Sequence, residues 1–538
     1  MLNVHINSIM NDRNRGEHMR KVLIIVLCSF VMMACQNPDS VNDIEEEFPK
    51  ESPTVVPIRY IDNLSSYISD TGEIMFSWDS SEEFGFMDVV FYAGEEEFQR
   101  YRVQNGEEKA IKLTLTPGVV YSYCFTPYSK DGKKGKEYNG SKEYLGHMVK
   151  TGLPQIIIET ENYVWPECDY LGPPKGSHGL SITNNNYVYM KLYLLDGDGN
   201  TLYESSDEAK IKIRGNTSAV GDKKPYKIKL DKKVDLLSFV SDRTGDWYKD
   251  KEWVLLTSGT TINTAVGLAV NDLVGMSFTP KYEYVDLVIN GDYRGTYILI
   301  ESVKEGNIKD GNQSRCKVAE DGFIIENDVY WWNEDLFFRT DLLKKNITFK
   351  YPDIDDISES QIKYIKKYVD DFEKSLVQND DSYSEYIDVD SFASWALVHE
   401  YIGQFDFRGS NQYLVKYDST EGSKLKMETT WDLEEIFNQV NEVSNMNKED
   451  FFYTSMLFEK ESFKEKFSVL FYGTKDKVVS SVTEKIGSIG IDAVNESRKM
   501  DALRWNCEYV TVEEEMKNDI NWLENRITWM ESRYSNVT

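Results

Sequence analysis

Between Pro53 and about Leu153 this chain reads as short alternating strands alone, whereas beyond Pro154 strand-like and helix-spaced segments are mixed. No single fold class accommodates both stretches. In the first, Ile74 to Trp78, Asp88 to Tyr92, Ala110 to Leu115 and Tyr121 to Thr126 read as short strands. Thr71-Gly72, Pro117-Gly118 and Asp131-Gly132-Lys133 mark the turns between them. Strands this regularly spaced predict an all-β sandwich over residues 53–153 that is separable from the rest. A chain of 538 residues is in any case too long for one core.

From Leu153 the pattern is α+β. Gln155 to Glu159, Val188 to Leu195, Ala209 to Arg214 and Tyr226 to Leu230 are strand-like, and Ile262 to Val274 has helical spacing. Asn290-Gly291 lies between the apolar runs Tyr284–Ile289 and Tyr293–Glu301, a strong hairpin signal. Ser358 and Gln361 fit a capping box ahead of the stripe Ile362, Ile365, Val369, Phe372 and Leu376. A second helix starts near Asp390 and carries Phe392, Trp395 and Ile402 inward. Thr511 and Glu514 fit another capping box, followed by Met516, Ile520, Leu523, Ile527 and Met530. The C-terminal region is therefore expected to be helical.

Arg20-Lys21, the apolar run Val22 to Met33 and Met33-Ala34-Cys35 have the order of a secretory signal, too short to span a bilayer comfortably. A cysteine at the cleavage point resembles a lipobox. Residues 1–35 are thus expected to be a signal peptide, with native start at Met19 and lipidation at Cys35. Residues 36–52 form an acidic tether that resembles the export signal of Bacteroidetes surface lipoproteins. The expected location is the cell envelope, lipid-anchored at the outer membrane or cell surface. The formal net charge of −30 excludes a general nucleic-acid binder and favours a basic protein partner. Cys124, Cys168, Cys316 and Cys507 lack CxxC spacing, which argues against structural zinc and leaves room for one disulfide.

The residues with chemical content follow the second helix. Asp406 and Asn411 make an Asp-x4-Asn loop, Gln412–Tyr417 and Lys424–Thr430 make a hairpin, and Trp431-Asp432 leave it. Protein kinases use this local order. One Asp accepts the substrate hydroxyl proton, an Asn five residues on holds metal, and a later Asp holds the cation on the nucleotide phosphates. Pattern alone also allows Asp406 and Asn411 to cap a turn.

Several further segments resemble the CotH kinase family: Ile211 to Ser218, Lys223 to Leu230, Glu252 to Leu256, Tyr284 to Tyr297 with Glu301, Gly322 to Glu326, and Trp431 to Glu434. The resemblance covers about residues 154–535 and implies an α+β atypical protein-kinase-like domain over 154–538. It further implies ATP and Mg²⁺ or Mn²⁺, and transfer of phosphate to Ser or Thr of a secreted or surface protein; the expected substrate is Ser-rich and, from the charge, basic. By this resemblance Asp406 is the catalytic base and Asp432, Asn411 and Glu434 are metal ligands. A strand lysine to hold the nucleotide is expected at Lys229, with Lys227 close behind, and Arg214 is a phosphate contact at the Gly215 turn. Many relatives carry Asn-x2-Asp followed by Arg-Asn after the Trp-Val-Leu-Leu strand; here Thr257 to Thr264 lacks the acid and the Arg. The first strands resemble a fibronectin type III module. The competing functions are a non-catalytic surface adhesin or glycan-associated lipoprotein, with Trp331 and Trp332 stacking on sugars, and a glycoside hydrolase using Asp406 and Asp432.

Overall fold

The computed structural model describes residues 57–69, 71–107, 109–144, 150–173, 181–182, 186–241, 248–306, 318–404, 410–437 and 453–534. The first seven strands are β1 (Ile61–Ile68), β2 (Glu73–Ser80), β3 (Phe84–Ala93), β4 (Glu96–Gln104), β5 (Ala110–Thr114), β6 (Val120–Ser129) and β7 (Tyr138–Glu143). They form two antiparallel sheets, ordered β1-β2-β5 and β4-β3-β6-β7. Alternation on β2 turns Ile74, Phe76 and Trp78 into a core that both sheets share, where they meet Met87, Phe91 and Phe125. β4 alternates too weakly to be read from sequence: it is an edge strand, paired only with β3 and exposed along most of its length. Tyr121 anchors the start of β6 by accepting a hydrogen bond from the Thr116 N–H through its hydroxyl, at 3.2 Å.

The next strands are β8 (Gln155–Thr160), the short ribbon β9 (Tyr170–Leu171) and β10 (Ser181–Ile182), then β11 (Val188–Leu195), β12 (Thr201–Glu204), β13 (Ala209–Ile213), β14 (Tyr226–Val234), β15 (Asp250–Leu256), β16 (Tyr282–Ile289) and β17 (Asp292–Glu301). β8 pairs with β16 in parallel and with β11 antiparallel, so the sheet closes on itself through β13, β14, β15 and β17. Inward residues such as Ile156, Leu192, Ile228, Trp253, Leu287 and Leu299 fill the barrel. The Asn290-Gly291 turn joins β16 to β17 with both residues at positive φ, 51° and 79°, as a tight hairpin needs.

The outward residues Val254, Leu256, Ile298 and Ile300 instead enter the larger core beneath the helices. That core also holds a second sheet, ordered β19-β20-β18-β21-β22, from β18 (Phe323–Asn327), β19 (Phe337–Arg339), β20 (Asn346–Tyr351), β21 (Gln412–Lys416) and β22 (Lys426–Met427). The longer helices are α1 (Asn263–Val274), α2 (Glu359–Leu376), α3 (Val389–Ile402), α4 (Glu461–Thr474), α5 (Val478–Gly487), α6 (Ile491–Trp505) and α7 (Val512–Tyr534). α3 is buried from Phe392 to Ile402, its few polar residues Ser394, His399 and Glu400 included. The capping box at Ser358 and Gln361 forms as expected. The inward face of α7 departs from its apolar stripe, because Arg526 is fully buried there against Glu400, at 3.2 Å.

The seven-strand unit docks on the barrel through buried charge. Asp292 lies 2.8 Å from Arg294, 3.4 Å from Arg504 and 3.7 Å from Lys142. Arg504 also donates to the Ser141 carbonyl and hydroxyl, each at 2.9 Å, and the Glu143 N–H donates to Asp292.

Candidate active site

Because Ile211 and Ile213 point into the barrel, Lys210, Lys212 and Arg214 point out of it. On β14, Ile228 points in and Lys227 and Lys229 point out. The register sets Lys210 opposite Lys229 and Lys212 opposite Lys227, so two like-charged pairs face each other across neighbouring strands. Glu252 on β15 stands opposite Lys229 but takes Lys227 at 3.1 Å, and it also accepts from Lys304 at 3.1 Å. Lys229 is exposed, and Lys227 is partly so. Burial, and Lys227 beside it, push the Lys212 amine down to about 8. Lys212 lies over the Tyr187 ring and Lys210 over Tyr189, at 4.8 and 4.3 Å. An outward row of cations thus ends at Arg214, whose N–H bonds the Pro225 carbonyl.

At that end stand the acids. Asp432 follows β22 with φ 58° and ψ 59°, and Asn411 precedes β21 with φ 64°. Both are left-handed, a conformation that Asn and Asp tolerate better than most residues. The Asn411 amide donates to Asp432 Oδ2 at 3.3 Å, and the buried Gln404 amide donates to the Asp432 carbonyl. Burial raises the Asp432 carboxyl above its usual range, while Arg214 and Asn411 oppose that rise. Glu434 is pushed up to about 7 by burial and by Asp432, against the pull of Ser258 and Arg214. Asn263 donates to the Glu434 carbonyl at 2.6 Å.

Arg214, Asn411, Asp432 and Glu434 therefore gather in one place, and Lys227 and Lys229 extend the cationic row away from it. Ser258 and Asn263, within the segment Thr257 to Thr264, hold Glu434. Asp406 and Cys35 lie outside the described residues. Trp331 and Trp332 are half-buried, with Trp331 packed on Phe337 at 4.7 Å between centroids. Cys124, Cys168 and Cys507 are free thiols, and Cys316 lies outside the described residues.

Sequence reasoning passed over two further residues. Glu326 appeared only as the end of the family-like segment Gly322 to Glu326, with no role, and Lys350 appeared in no motif. Glu326 Oε1 accepts the Asn411 N–H at 2.7 Å, and Lys350 lies 3.1 Å from the other oxygen. The available signal was a lone acid ending the run Phe323-Ile324-Ile325, with a second acid, Asp328, two residues later.

Among the described residues no group of three or more His, Cys, Asp or Glu is placed to hold a metal ion. Asp432 and Glu434 nonetheless bring two carboxylates close together, with the Asn411 amide beside Asp432 Oδ2. Mg²⁺ is commonly held by one or two carboxylates together with substrate phosphates, so these residues fit such an ion. A family model described as CotH kinase protein matches residues 211–530, from the cationic strand β13 into α7. No curated protein matches the chain.

Proposed function

Because that match spans more than half of its length, the chain belongs to the CotH kinase family, and from this premise we propose that it transfers phosphate from ATP to Ser or Thr of a secreted or surface protein. One observation carries the reading: Arg214, Asn411, Asp432 and Glu434 converge at the end of a lysine-lined strand pair. Asp432 and Asn411 hold Mg²⁺ or Mn²⁺, and Glu434 offers a further oxygen. The cation, when bound, neutralises charge on the nucleotide phosphates. Lys229, Lys227 and Arg214 bind the phosphates. Asp406 accepts the proton of the substrate hydroxyl as its oxygen bonds the γ-phosphorus; the bond from that phosphorus to the β–γ bridging oxygen breaks and ADP leaves.

The strand order β1-β2-β5 over β4-β3-β6-β7 supports reading the first seven strands as a fibronectin type III-like spacer or docking module. The signal-like residues ahead of Cys35 support an exported, lipid-anchored protein at the cell envelope, and the charge of −30 supports a basic substrate. The test is radiolabelled ATP with Mg²⁺ or Mn²⁺, following self-phosphorylation and transfer to a basic Ser-rich protein. Metal-dependent labelling is the expected result. A wild-type protein that binds no nucleotide under either metal overturns the reading in favour of a surface adhesin built on the same fold.

A further inference from the structure

We propose that Glu326 is the positioning residue of the cation site, holding Asn411 in the turn from which it faces Asp432, and that Lys350 holds Glu326 in place. For the ligand the inference rests on the kinase reading; for the geometry it rests on the strands alone. The β18–β21 ladder ends where Asn327 pairs with Gln412, so the next N–H, that of Asn411, has no strand partner. The Glu326 side chain reaches forward and takes that N–H at 2.7 Å. This adds one hydrogen bond beyond the ladder, at a residue with a left-handed φ of 64°. From the same left-handed position the Asn411 amide meets Asp432 Oδ2.

Glu326 is only 4 % exposed, and its second oxygen is fixed by Lys350 Nζ at 3.1 Å. Lys350 in turn sits 3.0 Å from Glu334 and 3.6 Å from Asp328. Asp328 accepts the Tyr330 N–H at 2.8 Å, and the Tyr330 hydroxyl lies 3.0 Å from that of Thr217, three residues beyond Arg214. One buried acid pair around Lys350 thus connects to both flanks of the site, to Asn411 on one side and to the Arg214 turn on the other. Partners that orient first-contact ligands in this way commonly govern metal affinity.

Two readouts on the full chain test this: hydrogen exchange of the Asn411 amide without ligand, and the Mn²⁺ midpoint for ATP binding, with kcat at saturating Mn²⁺ measured alongside. Glu326→Gln keeps an acceptor of the same reach and should retain Asn411 protection, with a midpoint within about threefold of wild type. Glu326→Ala should lose the protection and raise the midpoint about 10- to 100-fold, changing kcat far less. Glu326→Asp keeps the charge beside Lys350 but falls short of the N–H, so it should behave like Glu326→Ala, and it decides the matter if Glu326→Ala does not fold. A folded Glu326→Ala or Glu326→Asp protein with wild-type Asn411 protection overturns the proposal. Lost protection with an unchanged Mn²⁺ midpoint overturns its link to the cation. A wild-type protein that binds no nucleotide overturns the kinase reading instead, and the exchange measurement still decides the role of Glu326.

Discussion

Asp432 combines a charge, a neighbouring amide and a left-handed backbone in one short turn, and each can be tested separately from Asp406. Asp432→Ala should abolish metal-supported nucleotide binding, because the phosphates lose their charge bridge. Asp406→Ala should bind nucleotide nearly as wild type and lose transfer by about 10²- to 10⁴-fold, because a base acts on the nucleophile and not on the phosphates. Labelling that persists equally in both variants contradicts the assignment. A different kind of test is available at Glu143, which is buried with one carboxylate oxygen unbonded and is raised by burial to about 7. A carboxyl raised in the folded state favours folding fully below its unfolded value of about 4.5 and loses that contribution as pH rises through about 7. Glu143→Gln should therefore be more stable than wild type at pH 8, by roughly 1–2 kcal/mol, with the difference shrinking towards pH 5. Thermal unfolding at the two pH values measures it; an equal gain at both places the effect outside ionisation. Asp432 and Asn411 were legible because their order around a hairpin is local. Glu326 and Lys350 were not, because Asn411, the partner of Glu326, is 85 residues away along the chain and Lys350 reaches Asn411 only through Glu326.

The β13–β14 pair sets lysine against lysine twice, an arrangement that costs stability wherever no anion lies across it. Lys212→Gln should raise the melting temperature by a degree or two while raising the ATP concentration needed for half-maximal binding. A variant that gains stability with unchanged ATP dependence would place the lysine row outside the nucleotide site. On β17, Gly295 has φ 97°, and a Cβ there would come within 1.9 Å of Asp501, which accepts the Thr296 N–H. Gly295→Ala should cost about 2–4 kcal/mol in urea unfolding, through both backbone strain and collision; a cost below 1 kcal/mol would mean that α6 shifts freely against the barrel. Elements with strong period or turn chemistry were readable, as the Asn290-Gly291 hairpin and the Ser358 cap show. The edge strand β4 and the Arg526 side of α7 were not, because one buries little and the other buries a charge that only Glu400 makes tolerable.

The whole molecule is organised around two seams, the barrel against the helices and the seven-strand unit against the barrel. At the second, Asp292 draws on Lys142 from one side and on Arg294 and Arg504 from the other. A chain beginning at Lys150 should stay soluble and bind nucleotide, since none of the proposed nucleotide, cation or catalytic residues lies before it. It should melt roughly 3–6 °C lower, because Arg504 loses both Ser141 acceptors. Equal melting temperatures would mean that the docking surface adds nothing. The amino-acid sequence by itself determined the change from alternating strands to mixed elements, the helix caps, the hairpins and the order of Asn411 and Asp432, because each depends on residues within a turn or two of one another. Only the tertiary structure decided that the second region's first sheet closes into a barrel, through the pairing of β8 with both β11 and β16. It alone brought Arg214 to Asp432 and Glu326 to Asn411, because strand neighbours and buried charge partners are chosen by packing across the fold and leave no periodic trace in the chain.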